Sequence, residues 1–212
     1  MLRHALWIFT TLLALAASAA PGQPGTYSLM HRQWFEARTA NFRLYSCGPT
    51  QEVARLAARL EQFRDAYSLL AGAQAVASPP IVVMAFPDLA AMRPFLPLYQ
   101  GKPANLIAFF RRSSDQNLMV LPLAGSDTGS LKLVFHEYAH LLLRRNQPYW
   151  PMWLAEGMAE TYATFEVYGG SHARIGKPID NHLRLLAQST PLPLKALFGV
   201  TPDSPDYNER EQ

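Results

Sequence analysis

Residues 135–143 read FHEYAHLLL, a stretch in which two histidines and a glutamate interrupt an otherwise apolar run. Leu131 and Leu133 precede the stretch and Leu141–Leu143 end it, and these apolar residues predict a largely buried helix over residues 130–145. Burying two histidines and a glutamate without partners would cost several kcal/mol. The stretch therefore predicts that a partner is present for these three side chains.

His136 and His140 are four positions apart, so on a helix they project from the same face. Two imidazoles at that spacing can bind one metal ion from a rigid support. Glu137 lies between them and is offset around the helix, where it can reach a metal-bound water without binding the metal. The pattern H-E-x-x-H is typical of a Zn²⁺ site in which the glutamate is the general base. The alternative is a pair of core histidines that happen to flank a helix glutamate.

A hydrolytic zinc site needs a third protein ligand, and the next acidic residue along the chain is Glu156, within WLAEGMAE. A loop with two prolines precedes this stretch, so a second helix, over about residues 151–164, can return against the first. Glu160 falls one turn after Glu156, where it can accept a hydrogen bond from the far nitrogen of a ligand histidine. Gly157 is expected to let the two helices approach closely. The alternative for both glutamates is a solvated helix face.

HEYAH followed by WLAEGMAE resembles the gluzincin metallopeptidases, the clan that includes thermolysin. More closely, residues 34–212 resemble the peptidase MA-like domains of unknown function found in bacterial exported proteins. The resemblance implies a zincin-like fold, with His136, His140 and Glu156 as zinc ligands, Glu137 as general base and Glu160 behind a ligand histidine. The metzincin pattern is excluded, because it requires Gly at position 143 and His at 146, where this chain has Leu and Asn.

Two features depart from the resembled clan. No G-A-M-E-N-like segment precedes the motif, so an aminopeptidase is not expected. The clan usually supplies a downstream Tyr or His that stabilises the oxyanion, and Tyr162, Tyr168 and Tyr207 are all open candidates. The chain also ends in a polar stretch where family members continue into a further helix, which is consistent with a domain truncated at its C-terminus.

The competing interpretation is a non-catalytic exported binding or assembly module with a structural or vestigial zinc site. A structural zinc usually has four protein ligands, for which Cys47, His31, His172 and His182 are the candidates. None of the four has a helpful spacing. The intact Glu137 favours the hydrolase, because a structural site has no use for a base.

The N-terminus predicts export. A short basic region, an apolar stretch over residues 5–17 and a small-x-small site predict a signal peptide over residues 1–19, cleaved after Ala19. An uncleaved membrane anchor is the alternative, and no later run is long enough to span a membrane. Residues 20–33 are expected to be a linker. The location expected from these features is periplasmic or secreted.

Composition is that of a globular protein of 212 residues, with 49% hydrophobic and 17% charged residues. The formal net charge of +3 is spread along the chain, so nucleic-acid binding is not expected and the expected partner is a peptide or protein substrate.

The fold class predicted is α+β, with a small mixed or antiparallel sheet packed on the active-site helix and the ligand-bearing helix after it. Predicted strands cover residues 41–46, 81–86, 105–111 and 117–123, and a hairpin covers 165–179. Predicted helices cover residues 51–70, a segment that begins with Pro87 as its first residue and Asp88 as a first-turn acid, and 181–188. The strand over residues 117–123 could pair with an extended substrate, or be an ordinary sheet strand.

Overall fold

The fold is seen in a computed structural model, which describes residues 8–9, 29, 31–72, 81–99, 101–113, 115–125, 129–146, 149–169, 172–201 and 203–204. The chain divides into two compact units. The first comprises Met1–Asp65 and Ala77–Val134, and the second comprises Ala66–Val76 and Phe135–Gln212.

A six-stranded mixed sheet organises the first unit. Its strands are β1 (Ile8–Phe9), β2 (Phe35–Arg38), β3 (Phe42–Ser46), β4 (Ile81–Phe86), β7 (Phe109–Arg111) and β8 (Leu118–Pro122). They lie in the order β1-β2-β3-β4-β8-β7. The β3/β4 and β4/β8 pairs are parallel, and the other three pairs are antiparallel. Two further two-residue strands, β5 (Leu98–Tyr99) and β6 (Lys102–Pro103), form a separate antiparallel pair.

The central strands form because their apolar residues alternate or run continuously, as buried strands require. In β3, Phe42 and Leu44 are fully buried while the arginine between them is exposed. The register places Ser46 opposite Ala85 of β4, and the Ser46 hydroxyl donates a 2.6 Å hydrogen bond to the Ala85 carbonyl. This bond gives the buried hydroxyl a partner at the end of the strand.

Residues 117–123 form an ordinary strand of the sheet, which is the alternative considered from the sequence. Strand β8 lies inside the sheet, with β4 on one side and β7 on the other. On the β7 side the pairing covers Leu118–Val120. Over these three residues both sides of the strand are occupied, so a substrate strand cannot be added there.

The described residues contain six α-helices: α1 (Thr50–Ala71), α2 (Leu89–Met92), α3 (Leu131–Asn146), α4 (Met152–Ala163), α5 (Asp180–Gln188) and α6 (Leu194–Phe198). Helix α2 begins at Leu89, two residues after the predicted first residue Pro87, because Asp88 is its N-cap and not a residue of its first turn. The Asp88 carboxylate accepts a 2.8 Å hydrogen bond from the backbone N–H of Ala91. A 3₁₀ turn, Arg93–Phe95, follows directly.

The second unit contains most of α3 together with α4, α5, α6 and a hairpin of β9 (Glu166–Tyr168) and β10 (His172–Arg174). Two of its buried contacts are between aromatic rings. The ring of Phe135 on α3 packs edge-on against Phe165, with centroids 5.4 Å apart, and Tyr162 on α4 packs on Tyr67 at 5.0 Å. These contacts support the part of α4 that follows the two glutamates.

The α+β class with a small mixed sheet is confirmed. Most of the predicted signal peptide and linker lies outside the described residues. Within it, β1 pairs with β2, so cleavage after Ala19 would remove one outer strand of the sheet. Among the described residues, no helix combines the length and apolar character needed to cross a membrane.

Candidate metal centre

Helix α3 presents both histidines of the motif from one buried helix face. The side chain of His140 is 5% exposed and that of His136 is 17% exposed. Their ring centroids lie 4.8 Å apart, and the two Nε2 atoms are 3.1 Å apart. The four-residue spacing therefore brings two ring nitrogens to one point, as the sequence predicts.

Helix α4 brings Glu156 to the same point. Its Oε2 lies 3.1 Å from the Nε2 of His140 and 3.4 Å from the Nε2 of His136. The structure thus brings together the three residues predicted as metal ligands, all of them in the second unit. Within the part of the chain that the structure describes, no fourth histidine, cysteine or acidic residue joins this group.

The triangle of donor atoms has the size that a tetrahedral zinc ion requires. Zinc binds imidazole nitrogen and carboxylate oxygen at about 2.0–2.2 Å, so two ligand atoms at a tetrahedral angle lie roughly 3.3 Å apart. The three edges here are 3.1, 3.1 and 3.4 Å. Two nitrogens and one carboxylate oxygen are also a donor set that suits zinc. The residues present therefore fit a zinc ion in both geometry and chemistry.

Glu160 lies behind His136, as predicted. Its Oε2 is 3.0 Å from the Nδ1 of His136, on the side of the ring away from the metal ligand atoms. A carboxylate can only accept at this contact, so the Nδ1 of His136 carries the proton. In the neutral imidazole this leaves the lone pair on Nε2, the atom that faces His140 and Glu156.

His182 on α5 contacts the other oxygen of Glu160. Its Nε2 is 3.5 Å from Glu160 Oε1, and its side chain is half exposed. From the sequence, His182 is a candidate fourth ligand, but in the structure it contacts Glu160 and not the three possible metal ligands. The local sequence carries no signal for this contact, because it joins residues with no periodic spacing.

The charges around His136 favour a cation at this site. Burial lowers the pKa of His136, but hydrogen bonds to Glu156 and Glu160 and the charges of Glu160 and Glu137 outweigh burial and raise its pKa to about 9. A site that stabilises a protonated imidazole is one with an excess of negative charge. The same carboxylates would stabilise a divalent metal ion.

Glu137 is half-buried and close enough for its charge to raise the pKa of the neighbouring histidine. It does not belong to the group of possible metal ligands. Glu137 is therefore near His136 but outside the group of possible ligands.

Several residues considered from the sequence take other places. Tyr162 is 5% exposed and packed on Tyr67, and burial raises its pKa, so its position is that of a core residue. Tyr168 stacks on His172 in the β9–β10 hairpin, with centroids 5.5 Å apart. Tyr207 lies outside the described residues, and neither Cys47 nor His31 belongs to the second unit.

The expectation for Gly157 is wrong. The residue is exposed, and a Cβ added there would meet nothing within 4 Å. Its backbone carbonyl instead accepts a 2.7 Å hydrogen bond from the Thr161 hydroxyl. The glycine is therefore not required by a close approach of helices.

A search of protein-family models, of curated proteins and of solved structures found no match to this chain.

Proposed function

We propose that this protein is an exported zinc-dependent metallopeptidase with a zincin-like fold of the gluzincin type. The single observation that carries the proposal is the triangle formed by His136 Nε2, His140 Nε2 and Glu156 Oε2, with edges of 3.1–3.4 Å. The order of these residues along the chain, H-E-x-x-H followed by a glutamate, is the one that the resembled clan uses for its zinc ligands. The substrate is a peptide or protein.

Zinc held by these three side chains would supply Lewis acidity, which activates water and polarises a carbonyl oxygen. Glu137 acts as the general base. Its carboxylate takes one proton from the attacking water and passes it to the leaving amine. The carbon–oxygen bond forms first, the carbon–nitrogen bond then breaks as the amine receives the proton, and Glu137 returns to its starting charge.

Glu160 orients the ligands and does not take part in proton transfer. It holds the Nδ1 proton of His136, which fixes the ring orientation and keeps Nε2 available as a donor to the metal. The contact also raises the basicity of that ligand. Replacing Glu160 should therefore weaken metal binding before it affects chemistry.

Two observations favour catalysis over a structural zinc. The group of ligands among the described residues has three members, which leaves a tetrahedral ion one position for water or substrate. The carboxylates of Glu156 and Glu160 are 29% and 30% exposed, so solvent reaches the acidic side of the site. A structural zinc site is usually closed by a fourth protein ligand.

The test is zinc-dependent hydrolysis by the purified full chain. A mixture of unrelated peptides is incubated with the zinc-loaded protein, and products are identified by mass spectrometry. We expect cleaved peptide bonds, loss of cleavage with a chelator, and recovery when zinc is restored. Stoichiometric zinc with no cleavage of any peptide or protein substrate would favour the non-catalytic module instead.

A further inference from the structure

Strand β2, next to the outer strand of the sheet, carries two opposite charges side by side. Glu36 is 4% exposed, and its carboxylate oxygens accept hydrogen bonds of 2.8 and 2.9 Å from the guanidinium of Arg38. The Tyr45 hydroxyl donates a third hydrogen bond, of 3.1 Å. The hydrogen bond from Arg38 lowers the pKa of Glu36, so the carboxylate is ionised at neutral pH. Strand β2 therefore presents an anion and a cation two positions apart, on one face of the sheet.

Strand β1 covers the outer side of β2 in the structure. Its two residues pair antiparallel with β2, with Ile8 opposite Ala37 and Phe9 opposite Glu36. Both residues of β1 are apolar, so this pairing places no charge opposite the two charges of β2. Strand β1 lies within the predicted signal peptide. Cleavage of that peptide removes β1 and leaves the outer side of β2 without the strand that pairs there.

The charges of β2 favour one register for pairing with a second β2. In an antiparallel pair related by a twofold axis, directly opposed side chains lie on the same face, so a residue must lie on the axis. With Ala37 on the axis, Glu36 of each chain lies opposite Arg38 of the other. With Glu36 or Arg38 on the axis, like charges face each other, which is destabilising. Among the four residues of β2, only Ala37 on the axis places opposite charges together.

We propose that β2 of the processed protein pairs with β2 of a second copy of this chain, across a twofold axis at Ala37. The two sheets then form one continuous sheet. This interface is independent of the proposed peptidase function, because β2 belongs to the first unit and the three candidate metal ligands belong to the second.

The expected dimer is weak and depends on protein concentration. Strand β2 has four residues, so two copies share only a short edge. Interfaces that bury less than ~1,200 Å² are typical of transient complexes. Before cleavage, β1 competes as part of the same chain, and its high effective concentration keeps the unprocessed protein monomeric.

The first experiment uses protein purified after export from a bacterial host, with its N-terminus sequenced. Sedimentation is measured at chain concentrations from about 1 µM to about 1 mM. We expect an N-terminus at Ala20 and a reversible monomer–dimer equilibrium, whereas the full chain that keeps β1 should stay monomeric. A processed protein that stays monomeric, an exported protein that keeps β1, or equal dimerisation of both forms would overturn the proposal.

Charge reversal tests the register. Arg38→Glu places a carboxylate opposite Glu36 of the second copy, so it should raise the dimer Kd at least about tenfold. Arg38→Lys keeps the positive charge and should still dimerise. Arg43→Glu is the matched control, because Arg43 is exposed and pairs with Arg38, but lies one strand further inside the sheet. Equal weakening by the two reversals would contradict the register.

Hydrogen exchange tests the wild-type sequence, so it does not depend on how the variants fold. In the processed protein, backbone amides of residues 35–38 that point away from β3 should exchange more slowly at high than at low concentration. A dimer that gives these amides no added protection would place the interface elsewhere and overturn the proposal. Neither measurement involves zinc or hydrolysis, so a negative result here leaves the proposed peptidase function unaffected.

Discussion

The Oε2 of Glu156 lies 3.1 Å from the Nε2 of His140, although the two residues are sixteen positions apart and belong to different helices. The contact places a carboxylate oxygen beside a ring nitrogen that also faces His136. A tetrahedral zinc ion would bind all three at once. The metal would then hold α3 and α4 together, so metal affinity and the stability of this unit should be coupled.

Glu137→Gln should abolish peptide hydrolysis while zinc remains bound. The amide keeps the size of the side chain but cannot accept the proton of the attacking water, so kcat should fall by about 10²–10⁴. The measurement is kcat on a cleaved peptide beside zinc content. Glu52→Gln, an exposed change on α1, is the control and should retain activity. Full activity of Glu137→Gln would refute the assignment of the base.

Glu160→Gln should weaken zinc binding about 10- to 100-fold, because the carboxylate no longer orients and polarises His136. The zinc Kd is measured by competition with a chromophoric chelator. His182→Ala should weaken binding by less, since His182 touches only the far oxygen of Glu160 and is half exposed. If His182→Ala weakened zinc binding more than Glu160→Gln does, Glu160 would not be the residue that orients His136.

Zinc binding near pH 7.5 should release close to one proton per zinc from His136. Its pKa of about 9 keeps the imidazole protonated at that pH, and a ligand nitrogen must lose its proton to bind metal. The proton count comes from calorimetry in buffers with different ionisation enthalpies. In Glu160→Gln one of the groups that raise this pKa is gone, so fewer protons should be released. The same count in both proteins would contradict the role of Glu160.

In the zinc-free protein, His136 should make stability depend on pH. Its pKa is about 9 when folded and about 6.5 when unfolded, so its stabilising contribution is complete below pH 6.5 and is lost as pH rises through 9. Urea unfolding of the zinc-free protein should therefore give a lower free energy of unfolding at pH 9.5 than at pH 6.5. His136→Gln should show a smaller difference between the two pH values. An equal difference in both proteins would assign the effect to other groups.

The residues of the candidate metal centre could be predicted from the sequence, because the spacings that indicate them lie within single helices. His136 and His140 are four positions apart, so they lie on one face if the stretch is helical. Glu156 and Glu160 are also four positions apart, and the same reasoning places them on one face of the next helix.

The rest depends on tertiary structure. The position of β8 inside the sheet follows from its pairing with β4, which lies far away in sequence. The contact between His182 and Glu160 joins residues 22 positions apart, and no periodic pattern relates them. The exposure of the leucines on α5 could not be predicted either. An amphipathic pattern indicates that a helix has an apolar face, but not whether another part of the protein covers that face.

The most direct test of the metal centre is the zinc content of the purified full chain, measured by elemental analysis beside Glu156→Ala. The matched control is His172→Ala, which removes an exposed histidine that is not part of the ligand group. We expect about one zinc per chain in the wild type and the control, and little or none in Glu156→Ala. A wild type that binds no zinc after remetallation, or a Glu156→Ala protein that retains it fully, would contradict a zinc site formed by His136, His140 and Glu156.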